Sequence, residues 1–381
     1  MSSPPVSHPR TRRKTRQVKI GKVRVGGDAP IGLQSMTNTH THDIDATVAQ
    51  INRLAAAGCD VVRVAVPDEA DTQALPEILR QTTVPIVADV HFHYKRALEA
   101  VEAGVHKIRL NPGNIKDRQQ VNEVIQACKD ARIPIRVGVN EGGVVERQDK
   151  QVRAAEKMNL AENRQATLVR LMLKKLEDYI RIFEENDFYD VVLAAKSNDA
   201  RIVIDAYRAI SERFDFPLHL GVTHAGPPET GRIRSMAALG TLLAEGIGDT
   251  LRISYAADPV LEVEDGKELL CCLGLRRRTG PELIACPTCG RLEVDLVKLV
   301  ADVRTKLADE ITIPMKVAVM GCVVNGPGEC EGADVAIFAG KGKGIIYVQG
   351  EQKQTVAENQ MLDALLQECH QFAARVERGE V

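Results

Sequence analysis

The sequence predicts an α/β protein: a TIM (β/α)8 barrel followed by a small α+β domain. Three observations carry this. Eight short Val/Ile-rich runs recur over roughly the first 275 residues, each close to continuously apolar, as parallel strands covered on both faces are. A helical pattern follows each run, and strict alternation of that kind is the signature of a closed barrel. After a basic linker the alternation stops and cysteines gather in two turns.

In chain order, the strands fall at 31–36, 60–66, 85–90, 107–111, 134–140, 190–196, 217–223 and 250–254. In the first helix Val48, Ile51, Leu54 and Ala55 share a face, and Gly58 stands where a helix C-terminus uses glycine. A longer helix covers 162–186. No G-x-G-x-x-G follows the first strand, which sets an open dinucleotide-binding sheet aside. Arg276 to Pro281 read as a linker. Beyond it come a helix with Val294, Val297, Val300 and Val303, strands at 315–320, 334–339 and 344–348, and a terminal helix from about 357. Gly340-Lys341-Gly342-Lys343-Gly344 lacks the spacing of a phosphate loop and reads as a hairpin turn. The domains are therefore a disordered basic tail over 1–17, a substrate-binding barrel over 18–278 and a second domain over 279–381.

The 381 residues are 44% hydrophobic and 27% charged, ordinary for a globular protein. Fifty basic and 52 acidic residues leave a formal charge of −2, which excludes a bulk nucleic-acid or membrane-surface field. The 3% aromatic content without tryptophan argues against base-stacking platforms. Apolar runs such as 317–324 fall short of the ~18 residues of a membrane span. No apolar signal segment opens the sequence, so a cytoplasmic protein is expected, and its nine cysteines are expected reduced.

Four barrel strands carry arginine between apolar neighbours: Val62-Arg63-Val64, Ile108-Arg109-Leu110, Ile135-Arg136-Val137 and Leu251-Arg252-Ile253. A guanidinium inside a barrel costs several kcal/mol unless it is paired. Lys196 ends the sixth strand on the same side. The mouth of such a barrel lies at the strand C-termini, so these residues make a cationic bowl suited to a diphosphate. The plainer alternative is an internal salt-bridge layer with Asp60, Asp89 and Asp249. Further polar residues cluster at the strand ends, among them Gln34, Ser35, Asp89, His91, Asn111, Asn140, Thr223, His224 and Ser254.

Cys286-Pro-Thr-Cys289 places two thiols in one turn, and Cys322 opens a Gly/Pro-rich turn that runs through Glu329. A structural zinc knuckle would show a second C-x-x-C or a histidine pair. Three thiolates plus one other ligand suit a 4Fe-4S cluster with a distinct fourth iron, a Lewis acid and electron donor in one. Glu329 is the candidate fourth ligand, with Cys330 its neighbouring rival. Cys271 and Cys272 sit at an apolar helix end and read as core, as do Cys59, Cys128 and Cys369.

CPTCGR with GCVVNGPGE, behind a barrel that opens QSMTNT, closely resembles the bacterial 4-hydroxy-3-methylbut-2-enyl diphosphate synthase family, in its short two-domain form. VRVAVPD, ADVHF, IRLNPGN, IRVGVN, AAKSND and EGIGDTLRIS extend the likeness over nearly the whole chain. The resemblance implies cluster ligation by Cys286, Cys289, Cys322 and Glu329 and makes Glu329 catalytic. It implies substrate contacts by Arg63, Arg109, Arg136, Lys196 and Ser254, with Asn140 nearby. It implies an oxidoreductase of non-mevalonate isoprenoid biosynthesis that opens the ring of 2-C-methyl-D-erythritol 2,4-cyclodiphosphate reductively. Flavodoxin or ferredoxin would supply the electrons. It also implies a homodimer in which the cluster domain of one chain caps the barrel mouth of the other. The chain departs from the family at Thr223-His224-Ala225-Gly226, where the family carries Thr-Glu-Ala-Gly. The rival readings are a non-redox phosphate-binding barrel with a zinc turn, which would hold zinc and no sulfide, and a nucleic-acid module built on the cysteine knuckle and basic tail.

Overall fold

The computed structural model describes residues 11–380 apart from 92, 112–113, 116, 145–149 and 324–331, and in 150–163 it describes the backbone alone. Two compact units, Met1–Arg276 and Arg277–Val381, pack each around its own core.

The first unit is the expected barrel, preceded by a hairpin of β1 (Val18–Ile20) and β2 (Val23–Val25). Eight parallel strands follow: β3 (Gly32–Met36), β4 (Val61–Ala65), β5 (Ile86–Asp89), β6 (Lys107–Arg109), β7 (Ile135–Asn140), β8 (Val191–Lys196), β9 (His219–Leu220) and β10 (Thr250–Leu251). Their order is β8-β7-β6-β5-β4-β3-β10-β9, and a parallel bridge from Leu193 to Leu218 brings β8 beside the start of β9, closing the ring. The last two ladders are shorter than their apolar runs. The chain continues alongside through single bonds, Thr223 N to Ser197 O at 3.1 Å and Arg252 N to Leu220 O at 3.0 Å.

Alternation along the strands sorts the side chains. Val62, Val64, Ile108, Ile135 and Val137 point out to the helix layer and join the main core. Val61, Val87 and Val192 point inward at the N-terminal end, where Val18, Ile20 and Val25 of the hairpin pack on them. The hairpin is thus a plug in the barrel floor. The helix layer forms as its sequence dictates: Val48, Ile51 and Leu54 are buried on Ile44–Ala56, and Gly58 follows it with φ +105°. Aspartates cap several helix starts; Asp43 accepts from Ala46 N at 3.1 Å. The long helix runs Lys150–Glu184, well ahead of the expected start.

Residues 12–16, expected within the solvated tail, are instead bonded to the barrel floor. Arg12 pairs with Asp249 at 2.9 Å, Arg13 donates to the carbonyls of Ser211, Phe214 and Phe216, and Arg16 pairs with Asp215 at 2.9 Å. Basic side chains in an acidic-poor segment find carbonyls and carboxylates at the strand N-termini.

The second unit is a five-stranded mixed sheet: β11 (Glu282–Ala285), β12 (Lys316–Met320), β13 (Val335–Gly340), β14 (Lys343–Val348) and β15 (Glu351–Ala357), in sequential order. The first three are parallel and the rest antiparallel. The glycine-lysine stretch is the β13–β14 hairpin turn, with Gly342 at φ +66°. Helices Leu296–Glu310 and Met361–Glu377 cover one face. The stripe on the first of them is Leu296, Val300, Val303 and Leu307 rather than the expected valine series, and Val297 faces outward.

Candidate active site

Strand register sets the site. Arg109 on β6 lies beside Arg136 on β7 and Asp89 on β5, Met36 lies beside Arg63, and Asn140 lies beside Lys196. Arg63 and Asp89 share the inward parity of Val61 and Val87, so the arginines fill the lumen where most barrels pack aliphatic layers. Arg63 and Arg109 are each 7% exposed and Arg136 3%.

Anions are scarce here. Asp89 lies 3.4 Å from Arg63 Nε and 3.0 Å from Arg109 Nη1. Arg252 pairs with buried Glu262 at 3.3 Å, and Glu262 also accepts from Ser35 Oγ and Tyr255 N. The proposed salt-bridge layer exists only in part. Asp60 pairs with Arg276 and Asp249 with Arg12, both away from the mouth. Arg136, Lys196 and Lys107 have no ion pair among the described residues. Buried Nε and Nη1 of Arg136 and Nε of Arg109 have no hydrogen-bond partner among the described residues. Unmet buried donors cost about 1–3 kcal/mol each, more when charged, so this lumen offers donors and positive charge suited to an anion.

The electrostatics agree. Burial, then the crowding of like charges, lowers Arg136 and Lys196 well below their ordinary values. Burial pulls Arg63 down to about 10 despite Asp89. For Asp89 burial works upward, but Arg63, His91 and Arg109 prevail and hold it below the usual carboxylate range.

Above this layer opens a cavity of about 670 Å³ lined by His91, Arg109, Asn111, Asn140, Thr223 and His224 from the strand ends, and by Arg164, Lys175 and Tyr179 from the long helix. His91 Nε2 lies 2.7 Å from Arg109 Nη1. His224 is exposed with φ +52°, its Nδ1 3.5 Å from Thr223 Oγ1. Ser254 donates to Val222 O at 3.0 Å. Arg63, Arg109, Arg136, Lys196 and Asn140 thus come together around β4 to β8. Three inward residues escaped the sequence reading: Lys107, His219 and Glu262, all buried. Lys107 was legible in Lys107-Ile108-Arg109, since period two puts it on the face of Arg109. Glu262 lies on a helix, and nothing in its local sequence points inward.

In the second unit, Cys286 follows β11 and Cys322 follows β12, at neighbouring ends of paired parallel strands. Cys289 lies in the turn after Cys286, and the three are free thiols, half-buried or exposed. Gly321 N donates to Cys286 Sγ at 3.2 Å. A Cβ on Gly321 would lie 2.3 Å from Leu292 Cδ2, so a side chain there would make Leu292 shift. Among the described residues, no group of three or more His, Cys, Asp or Glu is gathered around a metal position. Glu329 and Cys330 lie outside the described residues. The donor set, thiols with an amide aimed at sulfur, suits iron-sulfur ligation. Cys59, Cys128 and Cys369 are buried core thiols, pushed by burial up to about 12. Cys272, expected in the core, is exposed and donates to Glu268, because the helix Pro259–Cys272 ends there with its last residue turned outward.

A family model described as the GcpE TIM-barrel domain matches residues 15–267, and one described as the GcpE protein C-terminal domain matches 282–371. The 4-hydroxy-3-methylbut-2-en-1-yl diphosphate synthase (flavodoxin) of Symbiobacterium thermophilum is 47% identical, over 96% of this chain and 95% of its own. Its namesake from Geobacillus thermodenitrificans is 45% identical over 95% and 93%. That from Corynebacterium diphtheriae is 46% identical over 95% and 89%. No helix among the described residues is long and apolar enough to cross a membrane.

Proposed function

The chain belongs to the GcpE family of 4-hydroxy-3-methylbut-2-en-1-yl diphosphate synthases, and from this we propose which residues carry its reaction. The enzyme is an oxidoreductase of isoprenoid biosynthesis. It takes 2-C-methyl-D-erythritol 2,4-cyclodiphosphate, two electrons and two protons to (E)-4-hydroxy-3-methylbut-2-enyl diphosphate and water. The single observation that supports our site reading is the excess of buried cations, above all Arg136 with two unmet donors.

Arg63, Arg109, Arg136 and Lys196 grip the diphosphate, the guanidiniums through paired N–H donors and Lys196 as a point charge. The unmet Nε of Arg109 and Nε and Nη1 of Arg136 find their acceptors there. Asp89 keeps Arg63 and Arg109 in place through its two contacts. Asn140 and Ser254, at the ends of β7 and beyond β10, orient the polar carbon skeleton. Cys286, Cys289, Cys322 and Glu329 hold a 4Fe-4S cluster, which when bound supplies single electrons and a Lewis-acid iron. Flavodoxin or ferredoxin supplies the electrons from outside. We assign a homodimer in which the cluster domain of one copy completes the barrel mouth of the other.

An Arg136→Met substitution tests the diphosphate grip. We expect KM for the cyclic diphosphate to rise about 10- to 100-fold, the loss of charge-assisted hydrogen bonds. The same loss is expected in inorganic pyrophosphate affinity. An unchanged KM together with unchanged pyrophosphate affinity would remove Arg136 from the site.

A further inference from the structure

Beneath the arginines the lumen holds a second polar layer. Lys107 on β6 is fully buried, and its Nζ makes one hydrogen bond, to Gln34 Oε1 at 3.2 Å. Among the described residues Gln34 Nε2 has no partner, and buried His219 on β9 has its Nδ1 3.3 Å from Thr250 Oγ1 and its Nε2 without a partner. An ammonium has three donors and a strong need for an anion. Lys107 has one neutral acceptor and no ion pair among the described residues.

The groups that face it are mostly cations. Arg136 on β7 and Arg63 on β4 act on it, Arg109, Lys196 and Arg252 stand in the same lumen, and the carboxylates described there are Asp89 on β5 and Glu262. Both carboxylates are already engaged by arginines. His219, buried among the same cations, is held neutral, its value pushed well below the ordinary one by burial and then by Arg136. Burial, Arg136 and Arg63 lower Lys107 in the same way. Of these groups arginine keeps its proton at any working pH, whereas buried lysine gives it up readily.

We propose that Lys107 is the proton acceptor of this site: uncharged while the arginines stand alone, it takes a proton from solvent when a diphosphate docks on them. This rests on the diphosphate reading above. It gives the site a charge that follows its ligand. Opening the ring of a cyclic diphosphate frees a further ionisable oxygen, and Lys107, already protonated on docking, counters that added negative charge from below. Lys196, lowered in the same way, belongs to the diphosphate grip proposed above, and its own proton uptake is common to the wild type and both variants, while Lys107 acts through the layer above it, as a positioning residue.

The experiment is calorimetry of inorganic pyrophosphate binding to the anaerobically reconstituted full chain at pH 8. Running it in buffers of different ionisation enthalpy counts the protons taken up. The wild type is compared with Lys107→Met and Gln34→Glu. Pyrophosphate's own proton exchange is common to all three and cancels. We expect the wild type to take up on the order of one proton more than either variant. Lys107→Met removes the acceptor, and Gln34→Glu sets a carboxylate beside Nζ that keeps it charged without ligand. Over rising pH the wild-type Kd should therefore weaken more steeply, by up to about tenfold per pH unit for a whole proton. If Lys107→Met fails to fold, Gln34→Glu alone decides. A folded variant with wild-type proton uptake overturns the proposal and leaves the diphosphate site standing. A wild type that does not bind pyrophosphate overturns both.

Discussion

Among the described residues Asp89 is the one carboxylate that touches two of the lumen arginines, at 3.4 Å from Arg63 and 3.0 Å from Arg109. Replacing it by Asn should cost about 3–5 kcal/mol of stability at neutral pH, because two buried guanidiniums lose their counter-charge. The pH dependence has a definite sign. The folded value of Asp89 lies below the unfolded one, so its contribution is full above the unfolded value of about 4 and fades as pH falls through the folded one. Urea unfolding of wild type and Asp89→Asn should show a gap that is constant from pH 7 to about 5 and narrows only in stronger acid. A gap that widens on acidification would contradict the pairing. At this scale the arginines were legible in sequence because charge inside an apolar strand triplet has no cheap structural use. Their partners were not. Glu262 reaches Arg252 from a helix, and which of Asp60, Asp89 and Asp249 points inward depends on register that local pattern does not encode.

Among elements, the end of β9 carries a close constraint on Lys196. A Cβ on Gly221 would lie 2.9 Å from Lys196 Nζ and 3.0 Å from Arg252 O. Glycine there makes the space in which Lys196 stands. Gly221→Ala should therefore leave the chain folded while displacing Lys196, with KM for the cyclic diphosphate raised about tenfold, the loss of roughly one charge-assisted contact. A variant with unchanged KM would show that the lysine position does not matter. The eight barrel strands were legible because strands buried on both faces read as continuous apolar runs. The β1–β2 hairpin was not legible, since two three-residue strands alternating about Gly21, whose φ is +55°, carry too short an apolar pattern. β15 left no signal at all. It is an edge strand, Glu351–Ala357, exposed over most of its length and rich in polar residues. β11 is four residues long and only half-buried.

For the whole molecule, the sequence divides its chemistry between two units: the barrel gathers buried cations, and the C-terminal sheet places thiols at two neighbouring strand ends. Sequence motifs carried the second half further than geometry does, because Glu329 lies outside the described residues. The barrel half rests on geometry: a lumen whose buried donors want an anion. The proposed function gives both halves a part in one reaction, so its direct measurement is the test of the account. The full chain, reconstituted anaerobically to about four irons and four sulfides, is given the cyclic diphosphate and a low-potential reductant, and product is followed by mass spectrometry. We expect (E)-4-hydroxy-3-methylbut-2-enyl diphosphate to form over many turnovers, with two electrons consumed per molecule. A chain loaded with iron and sulfide that binds the cyclic diphosphate and releases no such product would contradict it.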